Sequence, residues 1–237
     1  MRIVREILLA LIVAAFVRTA VAESYQVPTG SMVPTLLEGD ELIAAKYAYG
    51  YSRFSLPIDE LPAIAGRLLN HAPQRGDVVV FRLPRDPAET YVKRLIGLPG
   101  DRIRMRQGEL IINGVVVRRV RLGSGEMEFH GQTHLVDRYT ETLPGGVTHE
   151  IIKLGNNMPL DETNEITVPS HHYFMMGDNR DDSLDSRVSE KMGGVGFVPE
   201  DNLVGRVDRL AYSRDLARPW WDMLNGPRLS RMFASIH

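Results

Sequence analysis

Ser31 is the residue of this chain whose surroundings first suggest chemistry. It lies in the segment PTGSMVPTLLEGD, residues 28–40, here called the serine loop, which follows a long apolar run. Pro28 and Pro34 fix their own φ angles and restrict the preceding residues, while Gly30 can adopt backbone angles closed to other residues. The pattern predicts a rigid, irregular loop that holds the Ser31 hydroxyl still and exposes it. The alternative is a Pro/Gly/Ser connector.

A second candidate is Lys93, in the segment TYVKRLIGLPGD, residues 90–101. The β-branched and aromatic residues of this segment predict a strand. In a strand, Lys93 shares a face with Tyr91, whereas Arg94 and Val92 lie on the other face. One of the two basic residues must therefore have apolar neighbours. The ordinary alternative is a lysine whose amine reaches solvent.

A polar cluster, GDNRDDSLDSR, occupies residues 177–187 and is here called the aspartate loop. A solvated turn held by Asx hydrogen bonds is one interpretation. A calcium loop is disfavoured, because the D-x-D-x-D-G spacing with a terminal Glu is absent. His130 and His134 have the spacing of metal ligands on a helical turn, but Gly131 makes a helix unfavourable and a third ligand is not evident. Solvent-facing histidines are the preferred interpretation.

The elements that position these groups are predicted to be strands. The chain has 237 residues, 43% hydrophobic and 24% charged, which is typical of a globular protein of one large or two small domains. Apolar runs predict strands in residues 41–50 and 75–84, and strand after strand follows from residue 102 to 169, with a hairpin turn at Asn113-Gly114. A last strand is predicted after residue 196.

Composition also excludes several classes of function. A formal net charge of −2 argues against a dedicated nucleic-acid binder. The chain has no cysteine, which excludes disulfides, thiolate catalysis, iron–sulfur clusters and cysteine-ligated zinc.

The N-terminal segment has two interpretations. An apolar run covers residues 7–17, and the small residues Ala20-Val21-Ala22 follow it. A charged start, a short apolar centre and an A-x-A end are typical of a cleaved signal peptide. Counted over residues 3–22, the segment reaches the length of about 20 residues that spans a bilayer, which predicts an uncleaved anchor. Arg18 favours the anchor, because a charge before the cleavage site is unusual in a signal peptide.

Two further segments carry aromatic residues that could contact a membrane. Residues 47–70 are irregular and contain Tyr47, Tyr49 and Phe54, which suggests an interfacial surface or a loop packed by its own side chains. The C-terminal tail, residues 213–237, contains two adjacent tryptophans and several arginines. It predicts a helix, either interfacial or docked on the domain.

Four segments in this order, PTGSMVPTLLEGD, RGDVVVF, YVKRLIGLPGD and GDNRDDSLDSR with GFVP behind it, together resemble the bacterial type I signal peptidases. These form the leader peptidase family of membrane-bound serine endopeptidases. The resemblance implies a mainly β fold, with antiparallel sheets forming a catalytic core, residues 23–103 and 171–212, and an inserted β subdomain, residues 104–170. It also implies one N-terminal apolar transmembrane helix, residues 1–22, and an amphipathic tail, residues 213–237.

The resemblance assigns Ser31 as the nucleophile and Lys93 as its general base, a Ser/Lys dyad. Lysine has an ordinary pKa of about 10.4, so burial must lower it before the amine can accept a proton near neutral pH. The Thr29 hydroxyl and the Ser31 backbone N–H match the oxyanion donors, and Ser183 matches a serine that hydrogen-bonds and orients the amine. No metal or organic cofactor is implied.

The resemblance also implies shallow pockets for small side chains one and three residues before the cut, hence an A-x-A preference. The residues expected to line them are Tyr25, Val27, Pro28, Met32, Leu36, Tyr91 and Val92. The residues expected to support the site structurally are Asp178, Asp185 and Arg187. In contrast to the family pattern, residues 188–195 intervene between DSR and GFVP, and there is one weak anchor where some members have two.

The implied protein is a single-pass enzyme of the inner (cytoplasmic) membrane with its catalytic domain on the periplasmic face. Its implied partners are exported preproteins with A-x-A sites and the lipid bilayer, and not nucleic acid. Three alternatives remain open: a serine–lysine peptidase of narrower task, a self-cleaving repressor, and a non-catalytic β module that retains the motifs. The apolar N-terminus argues against the repressor.

Overall fold

The fold is mainly antiparallel β, as predicted. The computed structural model describes residues 2–16, 21–55 and 66–236. Those ranges contain one α-helix, α1 (Arg2–Phe16), and fourteen strands. The strands are β1 (Ala22–Gln26), β2 (Asp40–Ala45), β3 (Val78–Leu83), β4 (Asp86–Gly97), β5 (Arg102–Arg106), β6 (Glu109–Ile112), β7 (Val115–Val116), β8 (Arg118–Phe129), β9 (Gln132–Thr142), β10 (Thr148–Lys153), β11 (Ile166–Thr167), β12 (His172–Met176), β13 (Val198–Pro199) and β14 (Leu203–Ser213).

The strands form three sheets. The largest has seven strands in the order β1-β2-β14-β3-β4-β12-β13, and the others have the orders β11-β5-β6-β7 and β10-β9-β8. The seven-stranded sheet uses residues 22–97 and 172–213, whereas the two smaller sheets use residues 102–167. The chain thus leaves the large sheet after β4, builds the two smaller sheets and returns at β12.

Strand β3 lies inside the large sheet and is apolar along its length. Val78 and Val80 belong to one core cluster, and Val79 and Phe81 belong to another. Alternate side chains of a strand point to opposite faces, so the two clusters cover the two faces of the sheet. This double burial explains why the sequence here is a continuous apolar run and does not alternate.

The predicted turn at Asn113-Gly114 is confirmed. Ile112 pairs with Val115 across it, and both turn residues have positive φ angles, 53° for Asn113 and 80° for Gly114. A two-residue hairpin turn of this type needs positive φ at both positions, which Asn and Gly tolerate best.

The predicted membrane anchor falls only partly on described residues. Helix α1 has 15 residues, and in the described part of the chain no helix is long and apolar enough to cross a membrane. Residues 17–20, which include Arg18 and the first residue of the A-x-A pattern, lie outside the described residues.

The prediction of a C-terminal helix is wrong. The described residues of the tail form turns, isolated bridges and one 3-10 turn, Leu229–Arg231. Two prolines in the tail restrict a longer helix. Arg231 donates to the Asp40 carboxylate at 2.6 Å, and Arg228 donates to the Glu38 carbonyl at 2.9 Å. The tail is therefore fastened to the serine loop by its arginines.

The aromatic residues predicted to form a surface in residues 47–70 differ in exposure. Tyr47 is exposed, but Tyr49 is buried and donates a hydrogen bond to Asp77 at 2.9 Å. Tyr49 is thus a core residue of the large sheet. Residues 56–65 of this segment lie outside the described residues.

Candidate active site

Ser31 and Lys93 meet in the folded chain. Ser31 lies in the 3-10 turn Gly30–Met32, and Lys93 lies on β4 opposite that turn. The Lys93 amine is hydrogen-bonded to the Ser31 hydroxyl. Ser31 is 8% exposed and Lys93 is 4% exposed, so the alternative of a solvated lysine is wrong. Their proximity gives the pair the geometry of a nucleophile and its base.

Burial lowers the pKa of the Lys93 amine to about 8. The reason is that an ammonium group loses its hydration in the protein interior. The carboxylates of Asp185, Asp178 and Asp182 act in the opposite direction, and the Arg187 guanidinium lowers the pKa further. Burial outweighs the three carboxylates. An amine with this pKa is partly neutral at slightly alkaline pH and can then accept the serine proton.

The aspartate loop holds the serine turn in place. The backbone N–H of Asn179 donates to the Ser31 carbonyl at 3.1 Å, and the Asn179 side-chain amide donates to the Gly30 carbonyl at 3.2 Å. Gly30 packs against the Phe129 side chain, since a Cβ at Gly30 would lie 2.7 Å from the Phe129 Cβ. Loop contacts, and not a long helix or strand, thus position the Ser31 hydroxyl.

The other two polar residues predicted for the site lie close by. Thr29 Oγ1 is 3.4 Å from Ser31 Oγ, and its backbone is extended. Ser183 is buried in the aspartate loop, and its hydroxyl has no hydrogen-bond partner in the described part of the chain. The hydrogen bond between Ser183 and the Lys93 amine that the resemblance implies is therefore not formed in this structure.

A cleft of about 370 Å³ opens beside Ser31 and Lys93. Of the seven residues predicted to bind substrate, Tyr25, Pro28, Tyr91 and Val92 line it. Val27, Met32 and Leu36 are not among its lining residues. They lie in the core cluster that also contains Leu42 and Val80, which do line the cleft. The lining residues that sequence reasoning missed are Gln26, Leu42, Val80, Thr90, His130, Asp182 and Leu184.

Two buried ion pairs hold the aspartate loop. Arg94 donates to both carboxylate oxygens of Asp178, at 2.9 and 2.7 Å. Arg187 donates to both oxygens of Asp185, at 2.9 and 2.8 Å. Burial raises the pKa of each carboxyl group, but the paired arginine outweighs burial and leaves both pKa values below their ordinary range. Arg94, which the strand pattern left ambiguous, is thus buried with a charged partner.

A further ionic layer joins the aspartate loop to the strands between β4 and β12. Arg180 donates to Glu141 of β9 at 2.9 Å. His149 of β10 lies 3.6 Å from the Glu141 carboxylate and 3.8 Å from that of Asp178. Burial lowers the pKa of His149 to about 4, so this imidazole is neutral under ordinary conditions.

The prediction that His130 and His134 face solvent is confirmed for His130, which is exposed, but not for His134. His130 lines the cleft, while His134 is partly buried and stacks on Phe129 with ring centroids 4.1 Å apart. Among the described residues, no group of three or more His, Cys, Asp or Glu is placed to hold a metal ion.

The chain is similar to known proteins of one family. The family model described as "Signal peptidase, peptidase S26" matches residues 1–212. The chain belongs to this signal peptidase family. Proteins named Signal peptidase I from Rickettsia typhi and Rickettsia conorii are 37% and 39% identical to it, over 95% of this chain and 89% of each relative. Family membership makes the protein a serine endopeptidase.

A crystal structure of a signal peptidase I from Enterococcus faecalis was also matched. It is 29% identical in sequence and covers 58% of this chain and 97% of that chain. The TM-score is 0.34.

Substitution of Gly177 tests how closely the aspartate loop must pack on the turn that carries Ser31. A Cβ at Gly177 would overlap the Ser31 carbonyl oxygen and the Ser183 hydroxyl. We expect Gly177→Ala to displace the serine turn and to lower peptidase activity by roughly 10²-fold, the effect of a misplacement of about 1 Å at a reacting group.

The matched control for this change is Gly125→Ala on β8. There the nearest atom to an added Cβ is 3.9 Å away, and the backbone is not left-handed. Activity and Tm of Gly125→Ala should match the wild type. Full activity in Gly177→Ala would show that the serine turn tolerates displacement.

Proposed function

We propose that this protein is a membrane-bound serine endopeptidase that removes N-terminal signal peptides from exported preproteins. The hydrogen bond between the buried Lys93 amine and the Ser31 hydroxyl is the observation that carries the proposal. Family membership supports the reaction class, and the cleft beside the dyad supports an extended peptide substrate.

The proposed reaction begins when neutral Lys93 accepts the Ser31 proton as the hydroxyl oxygen attacks the scissile carbonyl. The Ser31 N–H and the Thr29 hydroxyl donate to the oxyanion that forms. The tetrahedral species collapses, the Lys93 ammonium gives its proton to the leaving amine, and the signal peptide remains as an ester on Ser31. Lys93 then takes a proton from the water that attacks the ester, and it returns this proton to the Ser31 oxygen as the signal peptide leaves.

Ser183 belongs to this proposal as an orienting residue for the amine. Its hydroxyl is buried beside the serine turn, since an added Cβ at Gly177 would meet both groups. A small rotation of either side chain could bring the hydroxyl to the amine in the substrate complex, because hydrogen bonds of catalytic groups often tighten only when substrate binds.

Asp178, Asp185 and Arg187 act as structural support in this proposal. Their charged side chains are buried, and none of the three residues lines the cleft. Residues 23–103 and 171–212 form the catalytic core, and residues 104–170 form the insert.

We further propose that residues 1–22 anchor the protein in the inner membrane with the catalytic core on the periplasmic face. The apolar side chains at the start of α1 are exposed, including Ile3, Leu8 and Leu9. Trp220 and Trp221 are also exposed, which suits a tail that contacts the bilayer interface without being helical.

The substrate preference provides the test. A preprotein with an A-x-A site, incubated with the protein in detergent, should be cut at one bond after the second alanine, as read by mass spectrometry. Replacing the alanine at the cut by phenylalanine should reduce kcat/KM by at least about 100-fold, because a small pocket cannot admit the larger ring. The control is phenylalanine at the central x position, which should be cut normally. Equal cutting of all three substrates would contradict the proposed pocket.

A further inference from the structure

The tip of the β8–β9 hairpin reaches the cleft. Phe129 pairs with Gln132, so His130 and Gly131 form a two-residue turn, with φ angles of 53° and 67°. Turns with positive φ at both positions favour Asn-Gly, although His adopts the left-handed region more readily than most residues. Asn would suit the turn better, so the backbone conformation does not explain the histidine.

The tip is fixed against the serine turn. Phe129 is buried among Val33, Val136 and Ile152, and it packs directly on Gly30. The position of His130 relative to Ser31 is therefore set by a packed contact and not by a free loop. Among the described residues that line the cleft, His130 is the one supplied by the insert, residues 104–170.

The His130 side chain bridges two loops of the catalytic core. Its Nε2 lies 2.7 Å from Asp182 Oδ2, in the aspartate loop, and its Nδ1 lies 3.1 Å from Glu38 Oε1, in the serine loop. The His130 backbone N–H also donates to the Glu38 carboxylate, at 3.0 and 3.1 Å. Both ring nitrogens thus face carboxylate oxygens. The Nε2–H donates to the Asp182 carboxylate, while the backbone N–H donates to Glu38, so His130 ties the two loops together.

We propose that His130 is a positioning residue of the peptidase, which ties Asp182 in the wall of the substrate cleft to Glu38 of the serine loop and so holds the aspartate loop in register with the serine turn. This inference deepens the proposed function and rests on it for the identity of the substrate. Asp182 directly precedes Ser183, so the bridge acts on the loop that carries the proposed orienting hydroxyl.

The bridge also bears on the dyad through charge. The groups that face His130 in the described residues are Glu38 from the serine loop and Asp182 from the aspartate loop, while His134 of its own hairpin stacks on Phe129. Asp182 is one of the carboxylates that favour protonated Lys93. Because His130 holds the Asp182 carboxylate, loss of His130 should let this charge move relative to the Lys93 amine.

The first experiment uses His130→Asn in the full chain, because asparagine suits the turn and should leave the fold and Tm unchanged. Its kcat for the A-x-A preprotein should fall about 3- to 5-fold below wild type, the scale of an exposed contact, since the His130 and Asp182 side chains are 49% and 32% exposed. Its KM should stay at the wild-type value, because the contact positions the loop that carries the proposed orienting hydroxyl.

The matched control is His171→Asn. His171 also has a positive φ, 60°, and also contacts a carboxylate, that of Glu200 at 3.1 Å, but it does not line the cleft. His171→Asn should keep the wild-type kcat and KM. A wild-type kcat in His130→Asn would overturn the proposal, as would a loss that appears only in KM.

A second measurement does not depend on turnover. Imidazole NMR of the Ser31→Ala protein should show a histidine ring N–H that is protected from exchange by its hydrogen bond to Asp182, and this signal should be missing when His130→Asn is added. If the signal is present but the wild type does not cut the preprotein, the proposed substrate fails and the bridge stands. If the wild type cuts but no such signal exists, the bridge fails and the proposed function stands.

Discussion

Ser31→Ala and Lys93→Met are each expected to abolish cleavage, lowering kcat by at least about 10⁴-fold, as loss of a nucleophile or its base does in other serine peptidases. The reason is that the two groups act as a unit: the hydroxyl is a poor nucleophile unless the amine removes its proton. For the same reason the double variant should be no worse than either single variant. The measurement is single-turnover cleavage of the A-x-A preprotein in detergent.

The pH dependence of wild-type cleavage should report the protonation of the Lys93 amine. Burial places the pKa of Lys93 near 8, and the base must be neutral to act. The kcat/KM value should therefore rise with pH and level off above about 8, because this parameter reports the free enzyme. Lys93→Arg should be inactive at every pH, since a guanidinium keeps its proton.

An exposed lysine and an exposed serine supply the controls for the changes at Lys93 and Ser31. Lys191 and Ser170 are both exposed, and neither lines the cleft. Lys191→Met and Ser170→Ala should retain wild-type kinetics and pH profile. If Lys93→Met keeps more than a few per cent of activity, the proposed base is wrong and another group must remove the serine proton.

Arg94→Met should cause the largest loss of stability among the changes considered. It leaves the buried Asp178 carboxylate without its bidentate partner, at 0% exposure for Arg94 and 1% for Asp178. Removal of one partner of a buried pair costs about 3–5 kcal/mol in free energy of unfolding. For a chain of this size that corresponds to a fall in Tm of roughly 10 °C. Calorimetry at neutral pH measures it.

The loss of stability caused by Arg94→Met should become smaller as pH falls. In the wild type, Arg94 outweighs burial and keeps the pKa of Asp178 below its ordinary range. This stabilising contribution is present above the unfolded pKa of about 3.9 and is lost as pH falls through the lower folded pKa. In Arg94→Met, burial is no longer opposed by this charge and favours the protonated acid. The difference in Tm between the two proteins should thus narrow as pH falls toward 4.

A surface ion pair gives the matched control for this change. Arg121 lies 2.6 Å from Asp137 across β8 and β9, with side chains 54% and 31% exposed. Exposed pairs contribute about 1 kcal/mol or less, so Arg121→Met should lower Tm by only a few degrees. A similar small loss in Arg94→Met would mean that water or another group solvates Asp178 in the variant.

Much of the fold could be predicted from local pattern. The apolar run of β3 and the Asn113-Gly114 turn carry their signals within a few residues, so each prediction is confirmed. The prediction of a helix in the tail is wrong. Its tryptophans and arginines are typical of an amphipathic helix, but Arg228 and Arg231 instead bind the serine loop. Tyr49 was misjudged because an isolated tyrosine gives no sign of whether it is buried.

Some residues of the candidate site could be predicted from local sequence, and others could not. Ser31 and Lys93 were found through motifs and the resemblance these carry. His130 was set aside, because nothing near it in sequence shows that its hairpin tip meets Glu38 and Asp182. Val27, Met32 and Leu36 were placed in the substrate pockets, but they pack in the core, and the walls of the cleft come from residues on several strands.

The sequence by itself determined the family, the β class of the fold and the identity of the proposed dyad, because these depend on residue types and on spacings within short segments. Only the tertiary structure decided which charges are buried, because burial depends on segments far apart in the chain. The low pKa of the Lys93 amine, the pairing of Arg94 with Asp178 and the bridge made by His130 all follow from such long-range packing. A lysine becomes a base only when distant segments remove the water around it.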